Sequence, residues 1–344
     1  DICWSLPSFL YLGFFDKCKK ILKKLAQYQK NGKIPNRINS FEATYDGADS
    51  TPLWIISLDY YLNFTKDHDF KKQIKPYLKK ALQFGLDSLD NGLIKHKKTG
   101  TWMDTLKRGN KAIDIQSLWE EAFRRGEKIL NRKYPKISIM KYWSDNFFLD
   151  SLEPRIKTRT ANCLVPLFFR QIPKKKAKKA LKVIEDEFIV PKGVTSRSTK
   201  EKSFDPYGYH TGFVWPLITG WAMGSFFNYK KGKKAMSLFF SNCKNFDTKC
   251  INGINEVFNP KTERPGGCAS QLWSVSFINR TVDEFMLGIR PYLFKNKIVV
   301  TPNFPFKNFK RSIKIGKNNI NFNYQRTKNG LDIKTSKTSY KIIK

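Results

Sequence analysis

Three segments of the chain set carboxylates beside indole or phenol rings. The first is Thr44-Tyr45-Asp46-Gly47-Ala48-Asp49-Ser50-Thr51-Pro52-Leu53-Trp54. The second is Asp90-Asn91-Gly92-Leu93-Ile94 followed by Gly100-Thr101-Trp102-Met103-Asp104-Thr105. The third runs Gly253-Ile254-Asn255-Glu256-Val257-Phe258 and then Gly266-Gly267-Cys268-Ala269-Ser270-Gln271-Leu272-Trp273. Six of the eight tryptophans (4, 54, 102, 119, 215 and 273) lie in or beside such segments, which links the rings to the acids. Indole faces stack on sugar rings, and carboxylates accept hydrogen bonds from hydroxyls. Paired acids also cleave glycosidic bonds, one protonating the leaving oxygen while the other handles water or the anomeric carbon. Core tryptophans and turn-forming aspartates account for the same residue types without any chemistry.

Those segments need a scaffold, and helical periodicity supplies one up to about residue 290. Candidate helices fall near 4–12, 14–30, 51–64, 67–89, 113–132, 134–148, 160–169, 174–187, 212–227, 231–246 and 270–286. Breakers such as Asn31-Gly32, Asp90-Asn91-Gly92 and Pro265-Gly266-Gly267 separate them. Short links favour antiparallel neighbours. The polar insertions at 31–50, 91–112, 191–211 and 247–269 carry most of the residues of interest, as loops on rigid scaffolds do. After about 291 the pattern alternates: Lys297-Ile298-Val299-Val300, Ile313-Lys314-Ile315, Ile320-Asn321-Phe322-Asn323-Tyr324 and Leu331-Asp332-Ile333 read as half-buried strands. The expected class is all-α over 1–290 with a small β segment over 291–344.

A chain of 344 residues with 40% apolar and 15% aromatic side chains builds a sizeable core, which excludes disorder. Sixty-four basic residues against 29 acidic ones leave +35. The excess is 50 Lys to 14 Arg, and phosphate readers favour clustered Arg, so no nucleic-acid partner is expected. The most apolar opening stretch, Trp4 to Phe15, is broken by Ser5, Pro7 and Ser8, and no run of about 18 apolar residues follows. No membrane partner is expected. The six cysteines form no CxxC pair and the three histidines are scattered, so neither a metal nor another cofactor is expected. Reduced thiols and a cytoplasmic location fit a chain this long. Oligomeric state stays open.

The order of segments resembles the archaeal and bacterial glycogen-debranching enzymes, the amylo-alpha-1,6-glucosidases. The resemblance runs through Asp1…Leu6-Pro7, Gly32-Lys33-Ile34-Pro35-Asn36-Arg37, Asp49 to Trp54, Asn91 to Ile94 and Thr101-Trp102-Met103-Asp104. It continues through Arg108 to Ala112 with Ser117-Leu118-Trp119, then Tyr209-His210-Thr211-Gly212-Phe213-Val214-Trp215-Pro216, Asn255 to Phe258 and Gly267 to Ser274. The matches are collinear over roughly 1–290, which is far more specific than any one motif. It implies an (α/α)6 barrel of six outer and six inner helices with the site at one end. Eleven candidate helices are one short of twelve. The family has an Arg-Asp pair where this chain begins at Asp1, so the resemblance implies an absent amino-terminal part.

Carried over residue by residue, the resemblance makes Asp104 the general acid and Glu256 the general base. For an inverting reaction the two stand roughly 6.5–9.5 Å apart. Trp102 and Met103 are expected to wall Asp104 off and keep it protonated near neutrality, while Glu256 stays ionised. Asp1, Asp49 and Tyr45 are expected around the terminal glucose. Arg108 is expected there too, with Asp114 where the family uses Glu. Trp102, Trp119, Trp215 and Trp273 are candidate stacking walls, and His210 and Gln271 candidate hydroxyl partners. The implied substrate is a branched α-glucan, glycogen or limit dextrin. A glucoamylase- or trehalase-like hydrolase on the same barrel is the alternative enzyme, and a non-catalytic polysaccharide- or polyanion-binding protein the alternative class.

Overall fold

A helix that is apolar on every side must be buried on every side, whereas one with a single apolar stripe lies on a surface. Both kinds occur in the computed structural model, which describes every residue except 247, 249, 304 and 305. Its α-helices are α1 (Ile2–Tyr11), α2 (Phe15–Gln27), α3 (Ser50–Thr65), α4 (His68–Asp87), α5 (Ile113–Leu130), α6 (Leu164–Phe168), α7 (Lys174–Glu187), α8 (Pro216–Asn228), α9 (Gly232–Cys243) and α10 (Leu272–Arg280). Helices α1, α3, α6 and α8 are buried nearly all round. Helices α2, α4 and α7 bury one stripe, such as Ala177, Ala180, Leu181 and Ile184 on α7, and turn their lysines to solvent.

Contacts between helices follow that division. Helices α1, α3, α5, α6, α8 and α10 touch in a closed cycle, each packing on the next and α10 returning to α1. Helix α2 packs outside α3, α4 outside α5, and α9 outside α8. Local signals set the ends. Lys66 takes a left-handed conformation to stop α3, and the Asp67 carboxylate then caps α4 by accepting from the Phe70 amide. Pro216 opens α8, where its missing N–H costs nothing. The start expected at 212 is therefore corrected to 216.

The helix expected over 134–148 does not form. That stretch holds a short 3-10 turn at Ile139–Tyr142 and a hairpin pairing Trp143 with Phe148. Asp145 sits at φ 54° in a two-residue turn with Asn146, which suits a hairpin, and the Trp143 and Phe148 rings meet edge to face.

The strands that follow the helices begin at Ile289. Ile289–Tyr292 pairs antiparallel with Lys297–Val300, which takes Lys341–Ile343 as a parallel neighbour. Asn308–Ile315, Asn318–Thr327 and Gly330–Thr335 form an antiparallel meander. Its alternating Ile313, Ile315, Ile320, Phe322 and Tyr324 join the same apolar cluster as the helices. The Tyr324 hydroxyl donates to the Leu287 carbonyl, and Arg311 grips Asp283 through two 2.7 Å hydrogen bonds. No helix of the described residues is long and apolar enough to cross a membrane.

Candidate active site

Four of the residues singled out from sequence prove to be helix N-caps on one end of the helix cycle. Asp1 precedes α1, Asp49 α3, Trp215 α8 and Gln271 α10. The partial positive charge of converging helix N-termini favours carboxylates there. Between these caps lies a cavity of about 440 Å³ whose lining includes Asp1, Asp49, Thr101, Trp102, Asp104 and Trp273. That volume falls within the usual range of small-molecule clefts, about 300–1,000 Å³. Gln271 donates through Nε2 to Asp1 at 3.1 Å, tying the first and last helices of the cycle together at the rim. Burial pushes the Asp49 carboxyl up.

The aromatic wall is built in depth. The Trp102 ring meets His210 at 5.4 Å and Trp215 at 5.1 Å, both edge to face. Trp215 stacks on His210, contacts Trp273 at 6.2 Å and donates its Nε1 to the Tyr209 carbonyl. Trp102 Nε1 donates to Asn162, and Asn162 donates in turn to Asp150. Arg108 completes this chain, hydrogen-bonded to both oxygens of Asp150 and both of Asp114. Burial opposes its charge, but the two carboxylates more than offset that and hold the guanidinium well above its usual range.

Arg108 is only 3% exposed, so the sugar contact expected of it is replaced by a clamp beneath Trp102. Arg108→Met should therefore lower unfolding stability by about 3–5 kcal/mol, because Asp114 and Asp150 stay buried without their cation. Denaturant titration at neutral pH measures this, and a loss below about 1 kcal/mol would contradict the clamp.

Glu256 is held from behind. Its amide donates to the Cys268 carbonyl, and its carboxylate accepts from the Cys268 amide at 3.0 Å. Gly267 at φ 63° makes this possible, since a Cβ there would lie 2.3 Å from the carboxylate oxygen. The Tyr209 phenol lies beside Glu256. Burial raises its pKa, the Glu256 carboxylate adds to this, and the charge of Asp104 reaches it as well. The Tyr209 ring in turn lies 4.8 Å from Trp215, which joins Glu256 to the aromatic wall. The apolar enclosure expected for Asp104 is not present: Met103 turns wholly into the core, while Asp104 faces solvent.

Three further expectations are corrected. Trp119 is 1% exposed and lies between Phe84 and Phe123, so near Gly85 that a Cβ there would overlap its ring. It is core. The Tyr45 hydroxyl donates to the Tyr28 carbonyl at the end of α2, which anchors its loop rather than reaching the cavity. Trp215 also sits behind the wall, supporting Trp102 and His210.

Sequence reading missed Thr101, Asn162, Asp150 and Tyr209 as contributors. Thr101 Oγ1 and Trp273 Nε1 are buried without a partner in residues that line the cavity. Of the four, only Thr101 and Tyr209 carried a sequence signal, as neighbours of Trp102 and His210.

Burial pushes the His210 imidazole down to about 4, and its Nδ1 lies 2.6 Å from Thr105 Oγ1. The ring is therefore neutral at pH 7. Between about pH 6.5 and 4 the unfolded chain binds this proton and the folded one does not, so stability falls on acidification. Relative to wild type, His210→Gln should lose less stability between pH 7 and pH 4. Equal slopes in denaturant titrations would place the acid sensitivity elsewhere.

A larger cavity, about 740 Å³, lies at the opposite end among residues such as Tyr60, Glu121, Arg125 and Glu284. Glu121 is held by Arg124 and Arg125, and Glu284 by Arg280, so these acids are committed to arginines. Glu120, also in that lining, accepts from the Ile137 amide instead. Among the described residues no group of three or more His, Cys, Asp or Glu could hold a metal ion.

The cycle of helices thus carries carboxylates and tryptophans around a cavity at one end. The family model described as amylo-alpha-1,6-glucosidase matches residues 4–280, and the chain belongs to that family of glycoside hydrolases. No curated protein matches it in sequence. Solved structures share the fold at low identity. One is an uncharacterized conserved protein from Thermus thermophilus, at 15% identity and TM-score 0.64, covering 79% of this chain and 91% of that one. Another is the GH63 mannosylglycerate hydrolase of Thermus thermophilus with Tris and D-glycerate, at 13% identity and TM-score 0.63, covering 82% and 92%. A third is a sialidase at 17% identity and TM-score 0.62, covering 84% of this chain. The chain spans only 31% of that sialidase's length.

Proposed function

We infer that the protein removes single glucose units from α-1,6 branch points of a glycogen-like glucan, with inversion. The observation that supports this reading is Asp104 at a cavity walled by Trp102 and Trp273, with Tyr209, the neighbour of Glu256, against Trp215 behind that wall. In this reading Asp104 protonates the leaving oxygen as the bond to the anomeric carbon breaks. Glu256 takes a proton from the water that attacks the opposite face. A bound glucosyl ring covers Asp104 and excludes water from it. Asp1, Asp49, Thr101 and Trp273 hold the ring's hydroxyls, and Trp102 packs on its face.

The helix cycle is then the inner layer of an (α/α)6 barrel with α2, α4, α7 and α9 outside. Residues 1–290 form that barrel and 291–344 a β cap. The six cysteines, all unpaired, suit the reducing cytoplasm. Exposed lysines on α2, α4 and α7 lie on outer faces, and a neutral glucan needs no charge steering, so binding to glycogen should change little with salt. A steep fall between low and moderate salt would favour a polyanion ligand instead.

Arg37 at the cavity favours a second reading, a glycoside whose leaving group is a small acid, as in the mannosylglycerate hydrolase with D-glycerate. Product analysis on glucosyl-branched limit dextrin, maltose, trehalose and mannosylglycerate separates these readings. Glucose from the dextrin alone supports debranching; cleavage of mannosylglycerate alone replaces it.

A further inference from the structure

We propose that Phe41 and Tyr207 are stacking platforms for the polymeric leaving group, so that the site is built for long glucan chains rather than small glycosides. The proposal rests on the glucosidase reading above and extends it from the cavity to its rim. Phe41 is 96% exposed, more than any other large apolar side chain among the described residues. Its exposure is built in. The Asn39 side chain accepts from the amides of Phe41 and Glu42, and the Asn39 amide donates to the Glu42 carbonyl, closing a tight turn.

Below the turn, Arg37 pairs with Thr44 and Ile38 with Ala43, and Asn36, Arg37 and Ile38 line the cavity. Asn36 Oδ1 accepts from the Asp46 amide, and the Tyr45 hydroxyl fastens the stalk to α2. A ring at the tip of a braced stalk beside the site has no core to fill. Tyr207 is a second exposed ring, on the loop that carries Tyr209. It is 66% exposed, its amide donates to Asp205, and it stands two residues before Tyr209, the neighbour of Glu256.

One ring therefore stands on the loop whose base meets Asp49, and the other on the loop beside the proposed base. Flat aromatic rings match the apolar faces of pyranoses, and Phe41 stands on the hairpin whose first strand lines the cavity. An α-1,6 stub leaves a main chain that runs both ways from the scissile oxygen. Two platforms on two loops suit such a leaving group, whereas a small aglycone would touch neither.

The test compares Phe41→Ala, Tyr207→Ala and the double variant with wild type. Three readouts are KM and kcat on glucosyl-branched limit dextrin, the same constants on 4-nitrophenyl α-glucoside, and retention on immobilised glycogen. Each single change should weaken polymer KM and retention by about three- to tenfold, with kcat and the small glucoside unchanged. Phe41→Trp should restore binding. Unchanged polymer KM and retention overturn the proposal, as does an equal fall on both substrates, which would signal a disturbed loop. Normal KM with a changed oligomeric state would assign the rings to a protein contact and also overturn it. If wild type hydrolyses neither substrate, the glucosidase reading fails, while glycogen retention still decides the platforms.

Discussion

Asp104→Asn is expected to bind branched dextrin as wild type does while its turnover falls by at least about 10²–10⁴-fold, the range of acid–base roles. The amide keeps the size of the carboxyl and still forms hydrogen bonds, but it has no proton to give to the leaving oxygen. A leaving alkoxide of a sugar is a poor leaving group without that proton, so the loss belongs in kcat rather than in binding. Asp104 is exposed, whereas its neighbour Met103 is fully buried, so the Asp104 side chain adds little to the packing. The variant should therefore unfold at the wild-type midpoint. Leaving groups sharpen the result, because an activated phenyl glucoside needs little protonation and should suffer far less. Full activity of Asp104→Asn on dextrin would move the acid to another group. An equal loss on both substrates would make Asp104 a binding residue.

Periodicity was a good guide where one face of a helix decides its burial. Helix α7 spans Lys174–Glu187, the range that the spacing of Ala177, Ala180, Leu181 and Ile184 predicts. The meander followed from alternation around Gly316 and Gly330 for the same reason, whereas Ile289–Tyr292 and Lys341–Ile343 were not read as strands. It failed at 134–148, where aromatic and β-branched residues fit a helical template but a two-residue turn at Asp145 wins. At the site, type and order were legible and orientation was not. Asp49, Trp102, Asp104 and Trp273 do share a cavity. Trp119 carries the same indole as Trp102, yet it fills the notch that Gly85 leaves on α4, a contact 34 residues away in sequence. Arg108 reads as a sugar ligand until its partner Asp150 comes into view, 42 residues downstream. Such choices depend on which neighbour arrives across the core, and local spacing carries no record of that.

Glu256→Gln should be as inactive as the Asp104 variant, for a different reason, and its rescue reveals the mechanism. The Gln side chain can still take the Cys268 amide on its carbonyl oxygen, so the loop around Gly267 should keep its shape. What is lost is a base that accepts a proton from water as the glycosidic bond breaks. Azide needs no deprotonation. Added at high concentration, it should attack the anomeric carbon in the space the water held and restore turnover of an activated α-glucoside. In a single displacement the product is the β-azide, because attack comes from the face opposite the leaving oxygen. An α-azide would instead mean two displacements, with the covalent intermediate on another residue and Glu256 acting as its acid–base group. The wild-type pH profile follows from the same roles. Rate should fall on the acid side as the base gains a proton and on the alkaline side as the acid loses one, giving a bell. In Glu256→Gln with azide the acid-side fall should vanish while the alkaline one remains.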